Sequence, residues 1–148
     1  MSHLPTVREY MDRYVQTISP DMDIMDAVDF LLEKRITGAI VANHKGEVVG
    51  MLTEYDCLRL LTHGDAHAEA PGGKVKDFMK SDVQSVPPTI DVYYCAGLFM
   101  NVPFRRFPVV EKGRLVGAIT RFDLLRAVRR SFTPEGLKPA VGKPRFRS

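Results

Sequence analysis

The chain has 148 residues, 45% of them hydrophobic and 26% charged, with a formal net charge of +3. That size and balance fit an ordinary globular domain and exclude a disordered chain, a collagen-like fibre and a small disulfide scaffold. No apolar run approaches the roughly 18 residues needed to cross a bilayer, and the opening MSHLPTVREYM lacks a basic start and an apolar leader. Cys57 and Cys95 lack the spacing of a zinc knuckle. A cytoplasmic location is therefore expected, with no membrane among its partners.

In chain order, a short strand is predicted at Val15–Thr17, followed by Pro20. A helix follows, with Asp23 at the N-cap and Ile24, Ala27, Val28, Leu31 and Leu32 at the spacing of one buried face. A hairpin joins 39–42 to 48–52 through Asn43-His44-Lys45-Gly46, and a last helix begins at Thr53. The segment THGDAHAEAPGG, 62–73, reads as a surface loop. The same sequence of elements then returns. A strand is predicted at Val83–Ser85 before Pro87-Pro88. Asp91 caps a helix with Val92, Cys95, Ala96, Phe99 and Met100 on one face. A hairpin joins 107–110 to 115–119, and Thr120 opens the final helix. Cys57 and Cys95 are expected as small buried apolar side chains. From Thr133 the tail carries Pro134, Pro139 and Pro144 and cannot continue a helix.

This is an internal repeat. A shift of 68 residues sets VREYM on VKDFM and VQTISPDMDI on VQSVPPTIDV. A shift of 67 then sets GEVVGMLTEYDCLRLL on GRLVGAITRFDLLRAV, the change falling in a glycine-bearing turn. The organisation is two β-α-β-β-α units at 7–62 and 75–130, a connector at 63–74 and a basic tail at 131–148. The α+β class follows, with the copies packing face to face about a pseudo-twofold axis. The first copy carries a net charge of −4 and the second +5. An acidic half suits a basic partner surface, and a basic half attracts anions.

The tandem G-x-x-V-G-x-[LI]-T-x-x-D motifs, each with a leucine-rich helix after it, resemble a pair of CBS (cystathionine beta-synthase) domains, a Bateman module. FRRFPVVEKG (104–113) resembles the family's segment of small or basic residues followed by LPVV. The resemblance spans roughly 7–130. It implies a regulatory module that binds AMP, ADP, ATP or S-adenosylmethionine in clefts between the repeats. It also implies disk-like dimers and an effector protein to receive the signal.

Thr53-Glu54-Tyr55-Asp56 and Thr120-Arg121-Phe122-Asp123 are also close to capping boxes, which need no ligand. The readings are compatible, because a helix N-terminus also offers N–H groups to an anion and a short carboxylate can accept both ribose hydroxyls. Carried over residue by residue, one cleft takes Thr120 and Asp123 for ribose. Arg105, Arg106 and Arg121 face phosphate. Thr17, Ile18, Thr37, Gly38 and Ala39 meet the base. The other takes Thr53 and Asp56, with Ser85, Val86, Arg106, Phe107 and Pro108 for the base. Glu54 replaces Arg121 there and disfavours a polyphosphate, so an empty pseudo-site is the alternative. The arginines could equally be solvated surface or dimer salt bridges.

Other motifs carry less. His63 and His67 beside Asp65 and Glu69 would suit a metal only on an ordered helix, so no metal is expected. No phosphate loop, dinucleotide fingerprint or nucleophile elbow occurs, and no catalytic residues or required cofactor are expected. The alternative to a nucleotide sensor is a ligand-free scaffold for dimerisation and docking. Lys138, Lys143, Arg145, Phe146 and Arg147 could bind nucleic acid weakly or fold back as a lid. A loose terminus is the plainer expectation, so nucleic acid is not an expected partner.

Overall fold

The computed structural model describes residues 4–62 and 72–132. The histidine pair at 63 and 67, most of the connector and the tail from Thr133 lie outside them. The elements are α1 (Val7–Tyr10), β1 (Thr17–Ile18), α2 (Ile24–Lys34), β2 (Gly38–Ala42), β3 (Val48–Thr53), α3 (Glu54–Cys57) and α4 (Arg59–Thr62). After the connector come α5 (Val75–Phe78), α6 (Val92–Met100), β4 (Arg106–Glu111), β5 (Arg114–Thr120) and α7 (Arg121–Ser131). The class is α+β.

The chain forms two compact units, and they are not simply the two repeats. One comprises 16–83; the other joins 1–15 to 84–148. Each repeat therefore lends its first short helix to the unit built on the other repeat.

In unit 16–83, β1 runs parallel to β2, and β2 pairs antiparallel with β3 in the order β1-β2-β3. All five residues of β2 are buried, as a central strand between two neighbours requires. Helix α2 starts where the Asp23 carboxylate accepts the N–H groups of Met25 and Asp26. It ends at Arg35 in the left-handed conformation, φ 55°. Ile24, Ala27 and Leu31 of α2 join Ile18, Ala39, Val41, Leu52 and Val75 in the core.

In the other unit, β4 and β5 form a two-stranded antiparallel sheet. No strand forms at 83–85. A single parallel bridge, Val86 to Val109, stands in its place, with Val86 donating to Pro108 and Val110 donating to Val86, both at 2.9 Å. Pro87 and Pro88 follow at once, and a proline cannot donate to a ladder. The first strand of the other unit likewise shifts to Thr17–Ile18. In the core Phe99 stacks on Phe107, ring centroids 4.1 Å apart and planes at 22°. Val7, Tyr10, Val92, Cys95, Val109, Ile119 and Leu124 surround them.

Three further expectations are corrected. The helix after Thr53 is not continuous but breaks between Cys57 and Arg59 into α3 and α4. Leu32 and Met100, placed on the buried face of their helices, are 69% and 85% exposed. A helix touching one small sheet buries only i, i+3 and i+7, so the outer edge of each apolar stripe faces away. Cys95 is buried, but Cys57 is only half-buried.

Candidate functional site

The two T-x-x-D motifs fold alike. Thr53 and Thr120 are the last residues of β3 and β5 and the N-caps of α3 and α7. The Thr53 hydroxyl accepts the Asp56 N–H at 3.4 Å, and the Asp56 carboxylate accepts the Thr53 N–H at 2.9 Å and its hydroxyl at 3.0 Å. In the other unit the Thr120 hydroxyl accepts the Asp123 N–H at 3.1 Å, and Asp123 accepts the Thr120 N–H at 2.8 Å. Both are complete capping boxes. Asp56 and Asp123 are the buried charged residues among those described, 6% and 9% exposed. A carboxylate taken that far from water needs compensation.

A cation supplies it in each unit, and not the same cation. Lys80, just beyond α5, pairs with Oδ1 of Asp56. The equivalent residue of the other unit is Asp12, which instead accepts the Tyr14 N–H at 2.9 Å. Arg126, one turn along α7, takes over there: its Nη2 donates to Oδ1 of Asp123 at 3.1 Å and to the Tyr10 carbonyl at 3.0 Å. Arg59, its repeat counterpart, holds the matching carbonyl of Phe78 at 2.6 Å and lies 5.1 Å from the centre of that ring. Each helix-borne arginine thus anchors the borrowed short helix of its own unit. Neither Lys80 nor the two arginines stood out in sequence.

The remaining site residues fall into place unit by unit. In 16–83, Gly38 pairs with Thr53, and the Glu54 N–H donates to the Thr37 carbonyl at 2.9 Å. Thr37 and Gly38 therefore stand beside the Thr53–Asp56 box, with Ala39 opposite Leu52. Thr17 and Ile18 lie one strand further, across from Ile40 and Val41. In the other unit Arg106 pairs with Thr120, and the Arg121 N–H donates to the Arg105 carbonyl at 3.3 Å. Arg105, Arg106 and Arg121 thus gather at the Thr120–Asp123 box. Burial pulls the Arg106 guanidinium below its ordinary value, and the Asp123 carboxylate opposes that fall. Phe107 and Pro108 are fully buried in β4. Ser85 and Val86 line an open groove of about 690 Å³ with Thr6, Ile90, Asp91 and Tyr94. Neither Thr120 nor Asp123 borders it.

What this can do chemically is bounded. The second unit offers a hydroxyl and a carboxylate at a strand-to-helix junction where the backbones of Arg105, Arg106 and Arg121 meet. The first offers a hydroxyl and a carboxylate with Glu54 in place of Arg121. Among the described residues no cluster of histidine, cysteine and carboxylate side chains could hold a metal ion. No described helix is long and apolar enough to cross a membrane.

Two helix–hairpin–helix copies, each with a capped T-x-x-D turn where the hairpin enters its last helix, define a tandem repeat module. The CBS domain family matches residues 7–63 and 75–130, and the chain belongs to that family. It is 32% identical to an uncharacterized protein of Methanocaldococcus jannaschii over 81% of this chain and 41% of that one. It is 28% identical to the A-adding tRNA nucleotidyltransferase of Aquifex aeolicus over 83% of this chain but 14% of the enzyme. The chain thus spans less than half the length of either relative. Its fold is similar to that of the CBS-pair protein CBSX2 from Arabidopsis thaliana, with a TM-score of 0.78 at 28% identity over 87% of this chain and 97% of that one. Against CBSX2 in complex with AMP the TM-score is 0.74 at 28% identity, covering 86% and 98%.

Proposed function

We propose that this chain is a ligand-sensing regulatory CBS pair for an adenine nucleotide or S-adenosylmethionine, acting as a homodimer on an effector protein. The observation that carries this reading is the junction at Thr120. A buried carboxylate suited to ribose hydroxyls stands beside Arg105, Arg106 and Arg121, which suit a phosphate. The AMP complex of CBSX2 supports the ligand class. Thr17, Ile18, Thr37, Gly38 and Ala39 keep the base-reading role that the family resemblance assigns. The Thr53–Asp56 set, with Ser85, Val86, Phe107 and Pro108, is the weaker one, because Glu54 repels polyphosphate. A signal needs a ligand that prefers one conformation of the module, since equal affinity for two shifts nothing. The reading involves no catalysis, and the tRNA nucleotidyltransferase match covers only a small part of that enzyme.

A second reading is a ligand-free docking scaffold. One observation favours it: each carboxylate is already held by a cation, Lys80 or Arg126, and by its own cap. Calorimetry with AMP, ADP, ATP and S-adenosylmethionine separates the two. Saturable heat is expected for at least one ligand, with Asp123→Ala weakening it more than Asp56→Ala. The reverse order rejects the choice of Thr120–Asp123 as the principal site. No heat with any of the four at millimolar concentration leaves the scaffold.

A further inference from the structure

Arg126 serves two acceptors with one nitrogen. Its Nη2 donates to Oδ1 of Asp123 at 3.1 Å and to the Tyr10 carbonyl at 3.0 Å. The first bond compensates a carboxylate taken out of water. The second satisfies a carbonyl at the C-terminal end of α1, where a helix supplies no partner of its own. It also sets a cation at the end of α1 that favours one. Helix α1 is a single turn, and a helix so short persists through its contacts. At its start Val7 and Arg8 donate to the carbonyls of Ile90 and Pro88 at 2.9 and 3.0 Å. Just past its end Asp12 exchanges two bonds with Ala118. Arg126 ties the end of the helix itself to the buried carboxylate.

The unit of 16–83 divides these tasks between two residues. Arg59, the repeat counterpart of Arg126, holds the Phe78 carbonyl at the end of α5, while Lys80 neutralises Asp56. Lys80 is in turn fixed by its backbone bonds to Met51. A group that claims the Asp56 carboxylate therefore displaces Lys80 and leaves the Arg59 tie in place. At Asp123 the same event acts on the tie itself. The carboxylate holds the guanidinium against the Tyr10 carbonyl, and bonds that share a group support one another. Arg126 is half-exposed, so a ligand can compete with it from solvent. The chain passes from α1 through Val15 into the other unit at Gln16. A change in α1 thus reaches that unit along the backbone.

We propose that Arg126 couples the Asp123 carboxylate to the docking of α1, so that a ribose engaging Asp123 loosens α1. This rests on the ribose reading above and adds how occupancy of that site is passed on. The test is hydrogen exchange, read by mass spectrometry, on the full chain and on Asp123→Asn and Arg126→Met. Without ligand, both variants are expected to exchange at 7–12 at least about threefold faster than wild type, with β4 and β5 changed less. The double variant is expected to add little to either single one, as for groups acting through one contact. An α1 that keeps the wild-type rate in either variant, or gains no more than β4 and β5, overturns the coupling. Saturating AMP is expected to speed exchange at 7–12 in wild type and not in Arg126→Met. Heat of AMP binding with no such difference overturns the coupling and leaves the nucleotide reading standing. If AMP gives no heat, the nucleotide reading fails for AMP, and the unliganded variants decide the coupling.

Discussion

Cys95 and Cys57 occupy repeat-derived helices but differ in chemistry. Cys95 is fully buried under α6, and burial reinforced by the Asp91 carboxylate pushes its thiol up to about 11. Cys57 is half-buried, its thiol also raised by burial and by Asp56, with Arg59 opposing. Since the thiolate is the reactive form, native protein at pH 8 is expected to alkylate at Cys57 first, with Cys95 modified only after unfolding. Peptide mass spectrometry after timed iodoacetamide exposure checks the order; early label on Cys95 would refute it. The sign for stability follows. An unfolded Cys95 ionises near 9, the folded one near 11, so folding loses support as pH rises across that window. The residue scale also shows what sequence could reach. The capping role of Asp56 and Asp123 was legible because its partners lie three residues away. Lys80 was not, since its bond to Asp56 exists only once α5 has docked. Arg126, three residues past Asp123 on the same helix, is a partner that the spacing alone makes possible.

At the scale of elements, the hairpins were legible because glycine turns punctuate alternating apolar runs. The exchange of the short helices between units was not. VREY and VKDF are single turns with no periodicity to say which sheet they meet. Their docking explains a motif glycine instead. The backbone after α5 pairs with β3, Met51 and Lys80 exchanging hydrogen bonds of 2.8 and 2.9 Å, and Asp12 does the same with Ala118. A Cβ at Gly50 would come within 2.5 Å of Sδ of Met79 and 2.8 Å of the Lys80 carbonyl. One at Gly117 would lie 2.6 Å from the Asp12 carbonyl and 2.9 Å from Sδ of Met11. Methionine can yield, but a carbonyl already bonded to the strand cannot. Gly50→Ala and Gly117→Ala are each expected to destabilise the chain by about 1–3 kcal/mol, the usual range for overpacking. Chemical denaturation reads this directly, and an unchanged midpoint for both would mean the strands are not pressed together there.

For the whole molecule, the two halves of the repeat have diverged in how well they are built. The unit of 1–15 and 84–148 encloses Phe99 stacked on Phe107, and α7 runs unbroken from Arg121 to Ser131. At the equivalent places the unit of 16–83 has Leu31 and Ala39, and its last helix is split at Leu58. An aromatic pair adds about 0.5–1.5 kcal/mol beyond its burial, and helices as short as α3 and α4 hold together only through packing. Opening free energies within a protein vary with local packing of this kind. Amides of α3 and α4 are therefore expected to exchange with deuterium fastest among the helices that follow the hairpins, and β2 and β3 faster than β4 and β5. Ligand that engages Thr120 and Asp123 should slow exchange at the start of α7, already the better protected junction. If native-state exchange instead finds α7 as labile as α3, the missing aromatic pair and the split helix do not set the order of opening.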